Sequence, residues 1–71
     1  MSNGDWDWIR NNWKHLKGDF RQRWDEFSHF EVAEMNGDRD QIVTMIQEKY
    51  GIAEDEAIRQ INEWADNLKV S

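Results

Sequence analysis

The sequence predicts an all-α domain, a small bundle of four helical segments, and three observations lead there. Large apolar residues recur at steps of three or four from Trp6 to Phe27, and turn-type residues punctuate the remainder at spacings that fit helix ends. No stretch alternates apolar and polar residues as a half-buried strand does, and proline is absent. At 71 residues the whole chain, 1–71, makes one domain. That is near the size below which a core without staples fails to outweigh the entropy of ordering the chain.

The first helix is defined by Trp6, Ile9, Trp13, Leu16, Phe20, Trp24 and Phe27. At about 100° per residue these seven fall within a band roughly 80° wide, a stripe that must be covered by other helices, a partner chain or lipid. Asp5 is placed to cap it, and Gly18, costing about 1 kcal/mol relative to Ala, is its one weak point. One long helix is expected, with any kink at Gly18. Asp19 with Arg23 and Arg21 with Asp25 stand four apart and add small support.

Ser28 followed by Glu31 reads as a capping box, opening a short helix that carries Phe30, Val32 and Met35 and ends at Asn36-Gly37. Asp38 followed by Gln41 opens the third helix, with Ile42, Val43, Met45, Ile46 and Tyr50 on its inner side. Gly51 fits a left-handed ending, with Ile52 folding back on the last turn. Glu54, Asp55 and Glu56 favour the start of the fourth helix through its dipole, and a divalent cation is the weaker explanation of them because consecutive carboxylates diverge. Ala53 is a poor cap there. The fourth helix buries Ala57, Ile58, Ile61, Trp64, Ala65 and Leu68, with Glu63, Asp66 and Asn67 outward.

Chemistry is nearly silent. With no cysteine there is no disulfide or thiolate metal site, and His15 and His29 lack metal-site spacing. No nucleophile is paired with a base and no phosphate loop occurs, so neither a catalytic role nor a cofactor is expected. Net charge is −6, with five acids and five bases in residues 1–30 but ten acids and four bases thereafter. That balance disfavours general nucleic-acid binding, which needs cations for phosphates. Met1, Ser2, Asn3, Gly4 and Asp5 carry no leader pattern and no run reaches membrane-spanning length, which predicts a cytoplasmic protein.

From Met35 the chain reads Met-Asn-Gly-Asp-Arg-Asp-Gln-Ile-Val-Thr-Met-Ile-Gln-Glu-Lys-Tyr-Gly-Ile, followed by Ile58, Ile61 and Trp64; earlier, Trp13 precedes Leu16-Lys17-Gly18 and then Trp24. Over nearly its whole length this pattern resembles the CsbD-like family of small bacterial stress-response proteins. Ser28 to Glu31 replace the family's Thr and aspartate run, and Thr44 and Asn11 stand where glycine is common. The resemblance implies two α-hairpins packed roughly at right angles, a SAM-like arrangement, and induction under stress. It transfers no functional residue, because the family has no agreed biochemical activity.

The residues that point outward suggest one interaction surface. Arg10, Lys14, Lys17 and Arg21 form a basic ridge beside the apolar stripe, able to meet anionic lipid, phosphate or an acidic partner. Their stems snorkelling along the core edge explain the same spacing without a partner. Trp8 projects about 120° from the stripe, so it is either a contact residue or folded onto a neighbouring helix. Histidine as a residue type suits pH sensing, which offers that role to His15 and His29, but ordinary surface positions account for both. Tyr50, Gly51, Ile52, Ala57 and Ile61 also resemble the docking turn of ubiquitin-associated modules, against the plainer reading of a helix cap. The expected function is a noncatalytic, stress-associated interaction protein, more readily monomer than homo-oligomer; the alternative is a membrane-surface or nucleic-acid binder through the ridge.

Overall fold

A computed structural model describes residues 4–70. It contains five helices and no strand among the described residues: α1 (Gly4–Asn11), α2 (Trp13–Arg23), α3 (His29–Met35), α4 (Arg39–Tyr50) and α5 (Glu54–Val70). Residues 1–3, on which much of the leader reading rests, lie outside the described residues. Helices α2 and α3 pack as one neighbouring pair, α4 and α5 as another, and contact between α1 and α5 closes the bundle.

The expected single first helix is two, and the interruption is at Asn12, not Gly18. Both the backbone N–H and the side-chain Nδ2 of Asn12 donate to the Trp8 carbonyl, at 3.1 and 2.8 Å. Asparagine competes with the backbone in this way, and the residue leaves helical geometry at φ −110°, ψ 12°. Gly18 sits inside α2 without disturbing it. Because α1 begins at Gly4, Asp5 lies in its first turn rather than at the cap; its side chain is outside the described residues.

α2 stops at Arg23, four residues before the apolar period does. Trp24 leaves the helix at φ −124°, ψ 82°, and the turn that follows returns Phe27 to the interior. Arg21 holds that turn, donating from Nε to the Phe27 carbonyl at 3.2 Å, while Tyr50 Oη accepts from the Glu26 N–H at 3.2 Å. Asp25 thus falls outside the helix, and Arg21 serves the turn instead of the expected pair.

The capping box at Ser28 forms in both directions: Ser28 Oγ accepts from the Glu31 N–H at 3.2 Å, and Glu31 Oε1 accepts from the Ser28 N–H at 2.9 Å. Asn36 and Gly37 end α3 with φ of 55° and 71°. Asp38 occupies the cap position of α4 without a side-chain cap bond. α4 ends as expected, with Gly51 at φ 64° and the Ile52 N–H returning to the Gln47 carbonyl at 3.3 Å. Ala57 and Ile61 are buried, and the turn at Gly51 acts as a helix cap.

The stripe of the first helix is covered inside the molecule except at Trp6, which is half-buried against the core. Ile9, Trp13, Leu16, Phe20, Trp24 and Phe27 are buried with Val32, Met35, Ile42, Val43, Ile46, Ala57, Ile61, Trp64 and Ala65. Phe20 is the hub, its ring 5.3 Å from Trp13, 4.6 Å from Trp24, 5.7 Å from Phe27 and 5.6 Å from Trp64. A buried indole must place its N–H. Trp13 Nε1 donates to the Val32 carbonyl at 3.1 Å and Trp24 Nε1 to Gln60 Oε1 at 3.2 Å, tying α2 to α3 and to α5.

Candidate interaction surface

Three contacts place α3 beside the ridge. At one end Arg21 Nη1 lies 2.8 Å from His29 Nε2, which must accept because a guanidinium has only donors. In the middle is the Trp13 to Val32 bond. At the other end Gly37 packs on the first helix so closely that a Cβ there would lie 2.8 Å from Arg10 Cα and 3.1 Å from Trp13 Cβ. α3 therefore runs antiparallel to α1 and α2, from Arg21 back to Arg10, and the cations border it.

The ridge residues divide by what they touch. Arg10 and Lys14 are exposed and Lys17 is half-buried, and none makes an ion pair or side-chain hydrogen bond with another described residue. Arg21 is committed to the Phe27 carbonyl and His29. Trp8 is half-buried against the core, with Lys69 Nζ 5.7 Å from its ring, so it covers the α1 and α5 contact instead of standing free beside the ridge. His15 is exposed.

The remaining cations have internal partners. Arg59 bridges Glu56 at 2.6 Å and Glu63 at 2.7 Å on α5, Lys49 meets Glu31 at 3.2 Å, and Arg39 meets Asp40 at 3.4 Å. Arg23 lies 4.8 Å over the Trp24 ring. The bonds from Arg59, then Gln60, hold the Glu56 carboxyl down to about 2. Glu31 is lowered first by the Ser28 N–H of the capping box and next by Lys49. Arg59 is raised by Glu56. Among the described residues no group of three or more His, Cys, Asp or Glu is arranged to hold a metal ion.

A second surface feature is on α3. Phe30 is 72% exposed, although its short helix is otherwise anchored by Val32 and Met35. Helical spacing already separates them: Phe30 lies about 200° from Val32 and about 140° from Met35. Separately, Phe27, Glu31, Met45, Glu48 and Lys49 line a shallow groove of about 260 Å³. The groove brings Phe27 and Glu31 beside Met45, Glu48 and Lys49 of α4, which no local pattern in the chain reveals.

Comparison with known proteins gives a consistent set of relatives. The chain is similar to a UPF0337 protein of Nitrosomonas europaea, 42% identical over 60 residues, which are 84% of this chain and 64% of that protein; it thus spans under two thirds of that relative. A UPF0337 protein of Pectobacterium atrosepticum is 33% identical over 89% of this chain and 91% of its own length. The UPF0337 protein YjbJ of Escherichia coli K12 is 36% identical over 75% of this chain and 77% of its own. No family model matches the chain, and no solved structure matches it significantly.

Proposed function

The chain belongs to the UPF0337 family, which is the CsbD-like family, and from that premise we propose that it is a noncatalytic, stress-associated interaction protein of the cytoplasm. It holds an acidic macromolecular partner on the ridge of Arg10, Lys14 and Lys17. The observation that carries this reading is that three neighbouring cations make no ion pair with another described residue in an acidic chain. Unpaired cations along one edge favour an oppositely charged surface and speed its encounter. Trp8 and Arg21, expected on the same surface, are engaged internally, Trp8 against the core and Arg21 by the Phe27 carbonyl and His29. The noncatalytic part rests on the sequence, which pairs no nucleophile with a base, and the stress association rests on the family resemblance.

Crosslinking in stressed cells followed by mass spectrometry tests the proposal, with a Lys14→Glu/Lys17→Glu variant as control. An acidic partner is expected whose recovery falls with added salt and is lost in the charge-reversed chain. Equal recovery with both chains overturns the ridge as the contact. The purified protein is also offered anionic vesicles and an oligonucleotide at low salt. Binding to either, lost on charge reversal, supports the membrane-surface or nucleic-acid alternative instead.

A further inference from the structure

We propose that Asn36-Gly37 is a conformationally locked deamidation site: the folded turn keeps it intact, and opening of α3 from the first helix admits a rearrangement that prevents reclosure. Asparagine followed by glycine is open to this chemistry because glycine has no side chain to hinder its backbone nitrogen. That nitrogen attacks Cγ of Asn36, the new N–C bond closes a five-membered imide, and the side-chain nitrogen leaves as ammonia, carrying the Gly37 proton. Water then opens the imide at either carbonyl. Hydrolysis at Cγ leaves aspartate in a main chain of ordinary length; hydrolysis at the Asn36 main-chain carbonyl leaves isoaspartate, with the chain rerouted through Cβ and Cγ.

The turn blocks the first of these steps by its geometry. Ring closure needs the Gly37 nitrogen to eclipse Cβ about the Asn36 Cα–C bond, but at φ 55°, ψ 21° it nearly eclipses the Asn36 main-chain nitrogen instead. Turning that bond swings α3 against everything that follows it. Gly37 is buried against Arg10 and Trp13, and the Asp38 N–H donates to the Met35 carbonyl at 2.9 Å across the same turn. Neither contact survives the rotation, so the reaction waits for a local opening. The Asn36 residue is itself exposed to water, which places the lock in the backbone. Once isoaspartate forms, the main chain is one carbon longer at a turn where Gly37 leaves no space for a single added carbon beside Arg10 Cα. The chain thus records its own openings, and molecules that have opened collect in a form that does not reclose.

The test uses the full chain carrying Asn3→Gln, which removes the other Asn-Gly pair, held at mildly alkaline pH with and without unfolding urea while peptide mass mapping follows Asn36. Deamidation in the folded chain is expected to be at least tenfold slower than in urea. Ser28→Ala loosens α3 at its cap without touching the pair, and is expected to speed the reaction about fivefold in the folded chain and not at all in urea. The isoaspartyl product, separated from the aspartyl one, is expected to unfold at lower urea than an Asn36→Asp chain, whose main chain keeps its length. Equal rates folded and unfolded overturn the lock, and a folded rate unmoved by Ser28→Ala overturns the opening of α3 as its release. An isoaspartyl chain as stable as the Asn36→Asp chain overturns the block to reclosure.

Discussion

Gly37 and Gly18 respond to substitution in opposite directions. Gly37 has φ 71° and lies against Arg10 Cα, so Gly37→Ala combines left-handed strain with a backbone clash. A loss of about 1 to 3 kcal/mol from the strain, and more from the clash, is expected in urea unfolding. Gly18 is helical and exposed, with nothing within 4 Å of an added Cβ. Gly18→Ala is expected to stabilise by about 1 kcal/mol. The sequence marks Gly37 as a helix ending but not as the contact point of α3 with α1, because close approach depends on a helix distant in the chain. Phe30 was open to the same helical-wheel reasoning that picked out the apolar stripe; residue type alone had placed it with Val32 and Met35.

At the scale of elements, local signals served best where backbone groups are satisfied locally. The capping box at Ser28 and the ending at Gly51 follow from residue types three or four positions apart, and both form. Ser28→Ala is expected to cost about 1 kcal/mol, read as a shifted unfolding midpoint with unchanged slope. The break at Asn12 was less legible, because asparagine and glycine weaken a helix by different routes and only Asn12 offers the Trp8 carbonyl a second donor. Two carboxylates add a pH dependence. Glu31 and Glu56 are both lowered from an ordinary 4.5, so the unfolded chain binds their protons first. Their stabilisation is complete above that ordinary value and is lost as pH falls through the folded values, about 2 for Glu56. Acid titration of stability is expected to show this loss below about pH 4.5, and Glu56→Gln to remove its own share while leaving the Glu31 part. Both groups are half-exposed and screened by solvent, so the effect is modest.

Across the whole molecule, one constraint organises the rest. The stripe needed cover, and packing with α3, α4 and α5 buries six of its seven residues and half-buries Trp6, leaving outside a cation edge and the exposed Phe30 ring. The all-α class was legible from periodicity, and the ridge from its spacing. Which cations remain unpaired was not, since Arg21 is taken up by a turn and a histidine that the linear pattern does not bring together. Trp8 likewise gains its neighbours only when α5 arrives. Internal cover of the stripe is tested most directly by hydrogen exchange of the Trp13 and Trp24 indole N–H groups in an NMR experiment on the folded chain at a concentration where it is monomeric. Both are bonded in the interior, to Val32 and Gln60, and strong protection of both in the monomer is the expected result. Exchange of either at the rate of a free indole, in a chain that keeps its helicity, contradicts it.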